Sequence, residues 1–266
     1  MNSHRIITLT TDFGEQDPYV GAMKGVILGI TSRVVLVDIT HQVPPQNVRE
    51  GAYILASVTP YFPDNTIHVV VVDPGVGTER RPLAIRTERA YYVVPDNGLI
   101  TPVLRRERVE EIVHLNNDTY WLPKVSHTFH GRDIFAPVAA YIARGVPLYA
   151  LGTPLKEEEI VHLEWPDARA LPDGSIEGMV VHVDHFGNIV TNIPAEMLDG
   201  APESWVFQVN EHRLRGLKQA YGEVAVGEAL ALIGSNNTLE FAIREGNAAA
   251  AWNVQAGDPV RAWRAQ

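Results

Sequence analysis

The spacing of apolar residues divides the chain into two differently patterned regions. Arg5–Thr10 (RIITLT) predicts a strand, closed by the polar turn Thr11-Asp12-Phe13-Gly14. In Pro18–Ile30 the apolar positions Val20, Met23, Val26, Ile27 and Ile30 fall at helical spacing, with Pro18 where a first turn tolerates it. Val34–Ile39 (VVLVDI) predicts a second buried strand, ended by Thr40-His41. Pro44-Pro45 then precede a helix from about Val48 to Val58, and Thr66–Val72 predicts a third strand. Strand, helix, strand, helix, strand at this rhythm predicts an α/β domain with a mostly parallel sheet and helices on its faces. Pro82–Thr87 and Ala90–Val94 read as a hairpin, followed by the turn Pro95-Asp96-Asn97-Gly98. Ile112–Leu115 is a short strand, and Ser126–Asp133 leads into an amphipathic helix over Ile134–Ala143.

Beyond Pro166–Gly174 (PDARALPDG), which reads as a linker, the pattern changes. Ser175–Ile193 holds β-branched runs broken by Asp184-His185-Phe186-Gly187-Asn188. Trp205–Val209 and His212–Leu214 flank Asn210-Glu211, while Ala229–Ile233 and Leu239–Ile243 flank Gly234-Ser235-Asn236-Asn237. Closely spaced strands with few helical segments predict a small β-barrel. The expected domains are therefore 1–168, α/β, and 175–266, a β-barrel.

Composition and charge narrow the function. The chain is 266 residues long, 45% hydrophobic and 20% charged, as for an ordinary globular protein with ample core. A formal charge of -10 argues against a nucleic-acid partner and against attraction to anionic lipid, but not against a small cationic ligand. With no cysteine there can be no disulfide, thiolate metal site or Cys nucleophile, which fits a reducing cytosol. No apolar stretch is long enough to span a bilayer and no signal-peptide pattern opens the chain, so a cytoplasmic protein without membrane contact is expected.

The densest chemical signal is Val70–Arg81, VVVDPGVGTERR. An apolar run breaks at Asp73-Pro74-Gly75, leaving a carboxylate at the carboxyl edge of a strand with Arg80 and Arg81 close behind. In open α/β sheets ligands bind at that edge. The Gly-Lys-Ser/Thr ending of a phosphate loop is absent, and no serine stands in a nucleophile-elbow context. Ten histidines raise the question of metal, with His127, His130, His182 and His185 as possible ligands of a metal-dependent hydrolase. Their spacing matches no established metal pattern, so no metal site is assigned. What remains are acids and amides at strand ends: Asp12, Asp17, Asp73, Asp96-Asn97, Asp184 and Asn188, with Arg80 and His130. A carboxylate beside glycines suits a ribose diol, since it accepts two hydrogen bonds where bulk is absent. Each could equally be an Asx-turn capping its own backbone.

Taken together the motifs TTDFG, DITHQVPP, VVVDPGVGTERR, PDNGL, FHGRDIFAP, DHFGNIVTNI and GSNNTLEFAIREGNAA, in that order, make the chain similar to a known family. It resembles the S-adenosyl-L-methionine (SAM) hydrolases, or SAM hydroxide adenosyltransferases, relatives of the SAM-dependent fluorinase and chlorinase. The resemblance implies an N-terminal α/β domain, a C-terminal β-barrel, and a homotrimer with sites at subunit interfaces. It implies SAM as substrate, no cofactor, and cleavage by water at C5′ to adenosine and L-methionine. By motif position, Asp73, Arg80 and His130 would position the water. Asp12 would hold the ribose hydroxyls. Asn188, backbone around Ile243–Glu245 and the Tyr221 ring would meet adenine, with Phe186 and Glu240 completing the binding set. Asp17, Asp184 and Ser235 would lie near the methionine end. Halogenating relatives have Tyr, Thr and Ser where this chain has Asp73, Val76 and Gly131, so water is favoured over halide. Gln46 stands where many relatives place an aromatic, and Asn236-Asn237-Thr238 also departs from the usual tripeptide. The other functions compatible with these residues are a SAM- or adenosine-binding protein without turnover, a halogenase, or the metal-dependent hydrolase.

Overall fold

A computed structural model describes residues 4–265. The chain divides into two compact units between Glu164 and Trp165.

In the first unit, β1 (Arg5–Thr11), α1 (Tyr19–Ile30), β2 (Val34–Thr40), α2 (Val48–Val58) and β3 (Ile67–Val71) follow the expected order. They continue into β4 (Pro82–Thr87), β5 (Tyr91–Pro95), α3 (Thr101–Leu104), β6 (Val109–His114), α4 (Ala136–Ala143) and β7 (Thr153–Leu155). Of these, α3 and β7 are too short to have left a periodic signal. The sheet order is β2-β1-β3-β5-β4-β6-β7. Pairing is parallel from β2 through β5 and antiparallel from β5 through β7, so the parallel character covers only one side of the sheet. β4 runs against β5, and the strands on its far side in this sheet, β6 and β7, pair antiparallel as well.

Period-2 alternation sends the side chains of β1 and β3 to two layers. Ile7, Leu9, Ile67, Val69 and Val71 join α1 and α4 in one core. Thr8 and His68 point the other way and bond to each other, on the face that also carries α2, whose Gly51 nests against Val72 and Leu99. The expectation of a buried second strand does not hold: β2 is the edge of the sheet, and Val35 is 48% exposed. Its β-branched run signals a strand but not whether a neighbour lies on both sides.

The helix expected over Ile134–Ala143 begins earlier, as a π-helical turn, Gly131–Phe135, running into α4. Such a turn holds one residue more than a regular helix and is frequent at functional sites.

The second unit is built from β8 (Arg169–Ala170), β9 (Ile176–Val183), β10 (Ile189–Pro194), β11 (Trp205–Val209), β12 (His212–Arg215), β13 (Leu217–Lys218), β14 (Ala229–Ile233), β15 (Thr238–Ile243), α5 (Ala248–Trp252) and β16 (Pro259–Arg264). The order β12-β11-β16-β9-β10-β15-β14-β13, with β8 beside β9, curls into a nearly closed barrel. Ile176, Val180, Ile189, Trp205, Phe207, Phe241 and Val260 fill it. The stretch that reads as a linker is tied to this unit: β8 pairs with β9, and Asn192 Nδ2 donates to the Pro166 carbonyl at 2.9 Å.

Candidate active site

In the first unit the strand-end turns gather polar groups at the carboxyl edge of the sheet. Beyond β3 the chain turns at Asp73-Pro74-Gly75, and Val76 N–H closes the turn on the Asp73 carbonyl at 3.2 Å. Thr78 Oγ1 donates to the Gly75 carbonyl at 2.7 Å and accepts from Arg80 N–H, which folds the loop back. Arg80 Nε thereby donates to Asp73 Oδ1 at 2.9 Å, and Nη2 pairs with Oδ2. Both side chains are buried, at 6% and 4% exposure for Arg80 and Asp73. A planar fork on a carboxylate is the strongest geometry this pair can adopt. The guanidinium also lies 5.4 Å from the Phe135 ring centre.

His130 reaches the same place from the start of the π turn. Its Nδ1 stands 3.2 Å from Arg80 Nη2, so the ring accepts there and a neutral ring keeps its proton on Nε2. Burial, and then the Arg80 charge, push the His130 pKa down. Burial also pushes the Asp73 carboxyl up, against the pull of Arg80. The bidentate fork needs both oxygens as acceptors, so it holds Asp73 ionised. Arg80 Nη1 is buried and has no hydrogen-bond partner among the described residues. The three residues therefore form one cluster with a free donor and with carboxylate lone pairs to spare.

Neighbouring turns have other duties. Asp96 is fully engaged: it accepts from Arg81 Nε at 2.8 Å and from Val161 N–H at 2.8 Å. Asn97 Nδ2 donates to the Val72 carbonyl. Asp96 is thus held by distant partners rather than by an Asx-turn, whereas Asn97 Oδ1 does cap its own turn, accepting from Leu99 N–H at 3.2 Å. Asp12 has one oxygen, Oδ2, bonded to Gln46 N–H at 2.8 Å, and Gln46 sits at φ +64°. Asp17 is exposed just before α1.

Asp133, part of the FHGRD motif but given no role from sequence, has its side chain fully buried. It accepts from Ser126 N–H and Ser126 Oγ, each at 2.8 Å, and from Arg132 Nε at 2.6 Å. Burial pushes its carboxyl up, but these bonds outweigh it and leave the pKa below the usual range. Asp133 thus anchors the Ser126–Phe129 segment on which His130 follows. The one sequence signal was an acid directly ahead of an apolar helix.

In the second unit, Asp184 is committed to its own loop: Oδ1 accepts from Phe186 N–H at 2.9 Å and Asn188 N–H at 2.8 Å. Oδ2 accepts from Asn188 Nδ2 at 2.9 Å. This turns the carbonyl end of the buried Asn188 amide away from Asp184, leaving it able to accept from a ligand. Phe186 is 71% exposed, and Ser235 and Glu245 are exposed as well. Tyr221 donates its hydroxyl to Glu240 Oε1 at 2.6 Å, and burial, then Glu240, raise the Tyr221 pKa. Glu240 packs under Gly234, where a β-carbon would stand 2.5 Å from Oε2. Among the described residues no cluster of three or more His, Asp or Glu side chains could hold a metal ion. No helix among them is long and apolar enough to cross a membrane.

Comparison with known proteins agrees along nearly the whole chain. Residues 7–152 match the SAM hydroxide adenosyltransferase N-terminal domain, and residues 178–261 match its C-terminal domain. A Salinispora tropica protein named (R)-S-adenosyl-L-methionine hydrolase is 39% identical over 96% of each chain. A protein of the same name from Thermus thermophilus is 37% identical over 97% of this chain and 99% of its own. A fluorinase from Actinopolyspora mzabensis is 29% identical over 98% of both. An uncharacterized conserved protein from Thermotoga maritima superposes with a TM-score of 0.90 at 35% identity, covering 97% of this chain and 100% of that one. With both domains matched in order, and with relatives of this identity end to end, the chain belongs to the SAM hydroxide adenosyltransferase family.

Proposed function

We propose that the protein hydrolyses SAM, water attacking C5′ of the ribose while the C5′–sulfur electron pair leaves with sulfur, to give adenosine, L-methionine and a proton. The observation that carries this is the buried Asp73–Arg80–His130 cluster, with an unpartnered guanidinium N–H beside a carboxylate that keeps spare lone pairs. Asp73 orients the water and takes its proton through a spare lone pair, Arg80 keeps that carboxylate ionised until then and faces the developing hydroxide, and His130, accepting from Arg80 at Nδ1, steadies the guanidinium. As the Asp73 carboxylate draws off the proton, a hydroxide-like nucleophile and the sulfonium neutralise each other, which is faster in a dry pocket than in water, and the substrate carries its own leaving group without a cofactor. Asp12 takes the ribose hydroxyls through the oxygen that Gln46 leaves free, and the Asn188 carbonyl accepts from the adenine amino group.

The assembly we propose is a homotrimer with substrate sites at subunit interfaces, acting in the cytoplasm. The unpaired edge of β2, with Val35 and Leu28 of α1 about half exposed, supports subunit packing there. Incubation with SAM in ¹⁸O-water tests the reaction: label is expected at the adenosine 5′-hydroxyl. Bound SAM with no adenosine released would make the protein a binding module instead, and adenosine without label would remove direct attack at C5′.

A further inference from the structure

Behind Asp12 runs a second chain of side chains that the reaction itself does not use. Phe13 N–H donates to Thr11 Oγ1 at 3.2 Å, and Thr11 Oγ1 lies 2.9 Å from His41 Nδ1. The other ring nitrogen, Nε2, lies 3.2 Å from Asp38 Oδ1, within ion-pair range though bent from hydrogen-bond geometry. Lys24 Nζ closes the series on Asp38 Oδ2 at 2.5 Å. Only one polarity satisfies every member: Phe13 donates to Thr11, the Thr11 hydroxyl to Nδ1, and Nε2–H faces the Asp38 carboxylate. Thr11 and His41 are buried, whereas Asp38 is 41% exposed on the edge strand.

The backbone repeats the connection. Gly14 N–H donates to the His41 carbonyl at 2.8 Å, Val43 N–H to the Thr11 carbonyl at 3.4 Å, and Gln46 N–H to Asp12 itself. His41 is thus the bolt between two loops, the turn after β1 and the loop after β2, and Asp12 is held from both. We propose that His41, braced by Asp38 and Lys24, is a positioning residue that presets the Asp12 carboxylate for a vicinal diol before substrate arrives. It touches no substrate and acts through Thr11 and the two loops. Preorganisation of this kind reduces the ordering cost of binding and leaves the chemical step alone. The inference rests on the assignment of Asp12 to the ribose.

The test compares adenosine with 2′,3′-dideoxyadenosine, which lacks the diol, by titration calorimetry. Wild type is expected to favour adenosine, and His41→Leu to bind adenosine about tenfold more weakly with dideoxyadenosine unchanged. Asp38→Asn, on the exposed side of the relay, is expected to shift in the same direction and carries the test if His41→Leu does not fold. His41→Asn retains an acceptor near the Nδ1 position and should recover most of the preference. In turnover, KM for SAM should rise while kcat stays near wild type. Wild-type discrimination in Asp38→Asn and in a folded His41→Leu would overturn the positioning role and leave the ribose assignment standing. If wild type itself binds both nucleosides equally, the ribose assignment fails and the proposal with it.

Discussion

Gly77 stands at φ +78°, and a β-carbon built on it would come 2.3 Å from the His127 carbonyl oxygen. The loop carrying Asp73 and Arg80 and the loop leading to His130 come together at this backbone position, with no room for a side chain. Gly77→Ala should therefore cost about 1–3 kcal/mol of stability for the left-handed conformation, with the contact adding to it. Because relief means parting the loops, activity should fall further than the folded fraction does; urea titration alongside turnover separates the two. At the reacting centre, Asp73→Asn should lower kcat by roughly a hundredfold or more with SAM affinity little changed, as expected for a group acting mainly on the nucleophile. Asp12→Ala should do the reverse and weaken binding more than turnover. Equal losses in kcat and affinity for Asp73→Asn would make it a substrate-positioning residue. The Asp73–Arg80 pair was legible because seven residues of turn chemistry bring it together. His130 was not legible in that way, since it is fifty residues further on and only a fold can deliver it. The relay through His41 escaped for a related reason: Thr11 and His41 look like turn punctuation until two strands pair in register.

The elements themselves were legible wherever a long run had a single period. β1, α1, α2, β3 and the β4–β5 hairpin lie close to where apolar spacing and turn residues put them. The sheet order and the edge position of β2 were not, since partner choice is settled by tertiary packing rather than by any one segment. β16 and α5 were not predicted either, α5 because its five residues are too few to show a helical period. β3 carries the feature with the clearest physical consequence. His68 is 1% exposed, stacked on Tyr92 at 5.4 Å, bonded through Nδ1 to Thr8, and has no partner for Nε2 among the described residues. Burial, and then the Arg89 charge, lower its pKa from 6.5 to about 4. Between those values the unfolded chain binds the proton and the folded chain does not. The contribution to stability is thus complete above pH 6.5 and lost as pH falls toward 4, about 3 kcal/mol in all. Denaturant titrations at stepped pH should show this loss, and His68→Gln should flatten it across that window; an equal slope in the variant would assign the acid sensitivity elsewhere.

At the scale of the molecule, each unit has a main core of its own, one layered between sheet and helices and one enclosed by a barrel. The change in apolar rhythm beyond Pro166–Gly174 suggested domains of 1–168 and 175–266, while the chain divides between Glu164 and Trp165; the attachment of that stretch to the barrel, through β8 and Asn192, comes from long-range pairing that no local pattern shows. Light scattering should report about three times the 29.4 kDa chain mass, with or without nucleoside. A single-chain mass would remove the trimer and any site that depends on it. Finally, deleting one residue within Gly131–Phe135 would let that stretch relax to 3.6 residues per turn and swing His130 about 100° round the axis. The shortened protein would gain a tidier helix and lose the 3.2 Å contact between His130 and Arg80.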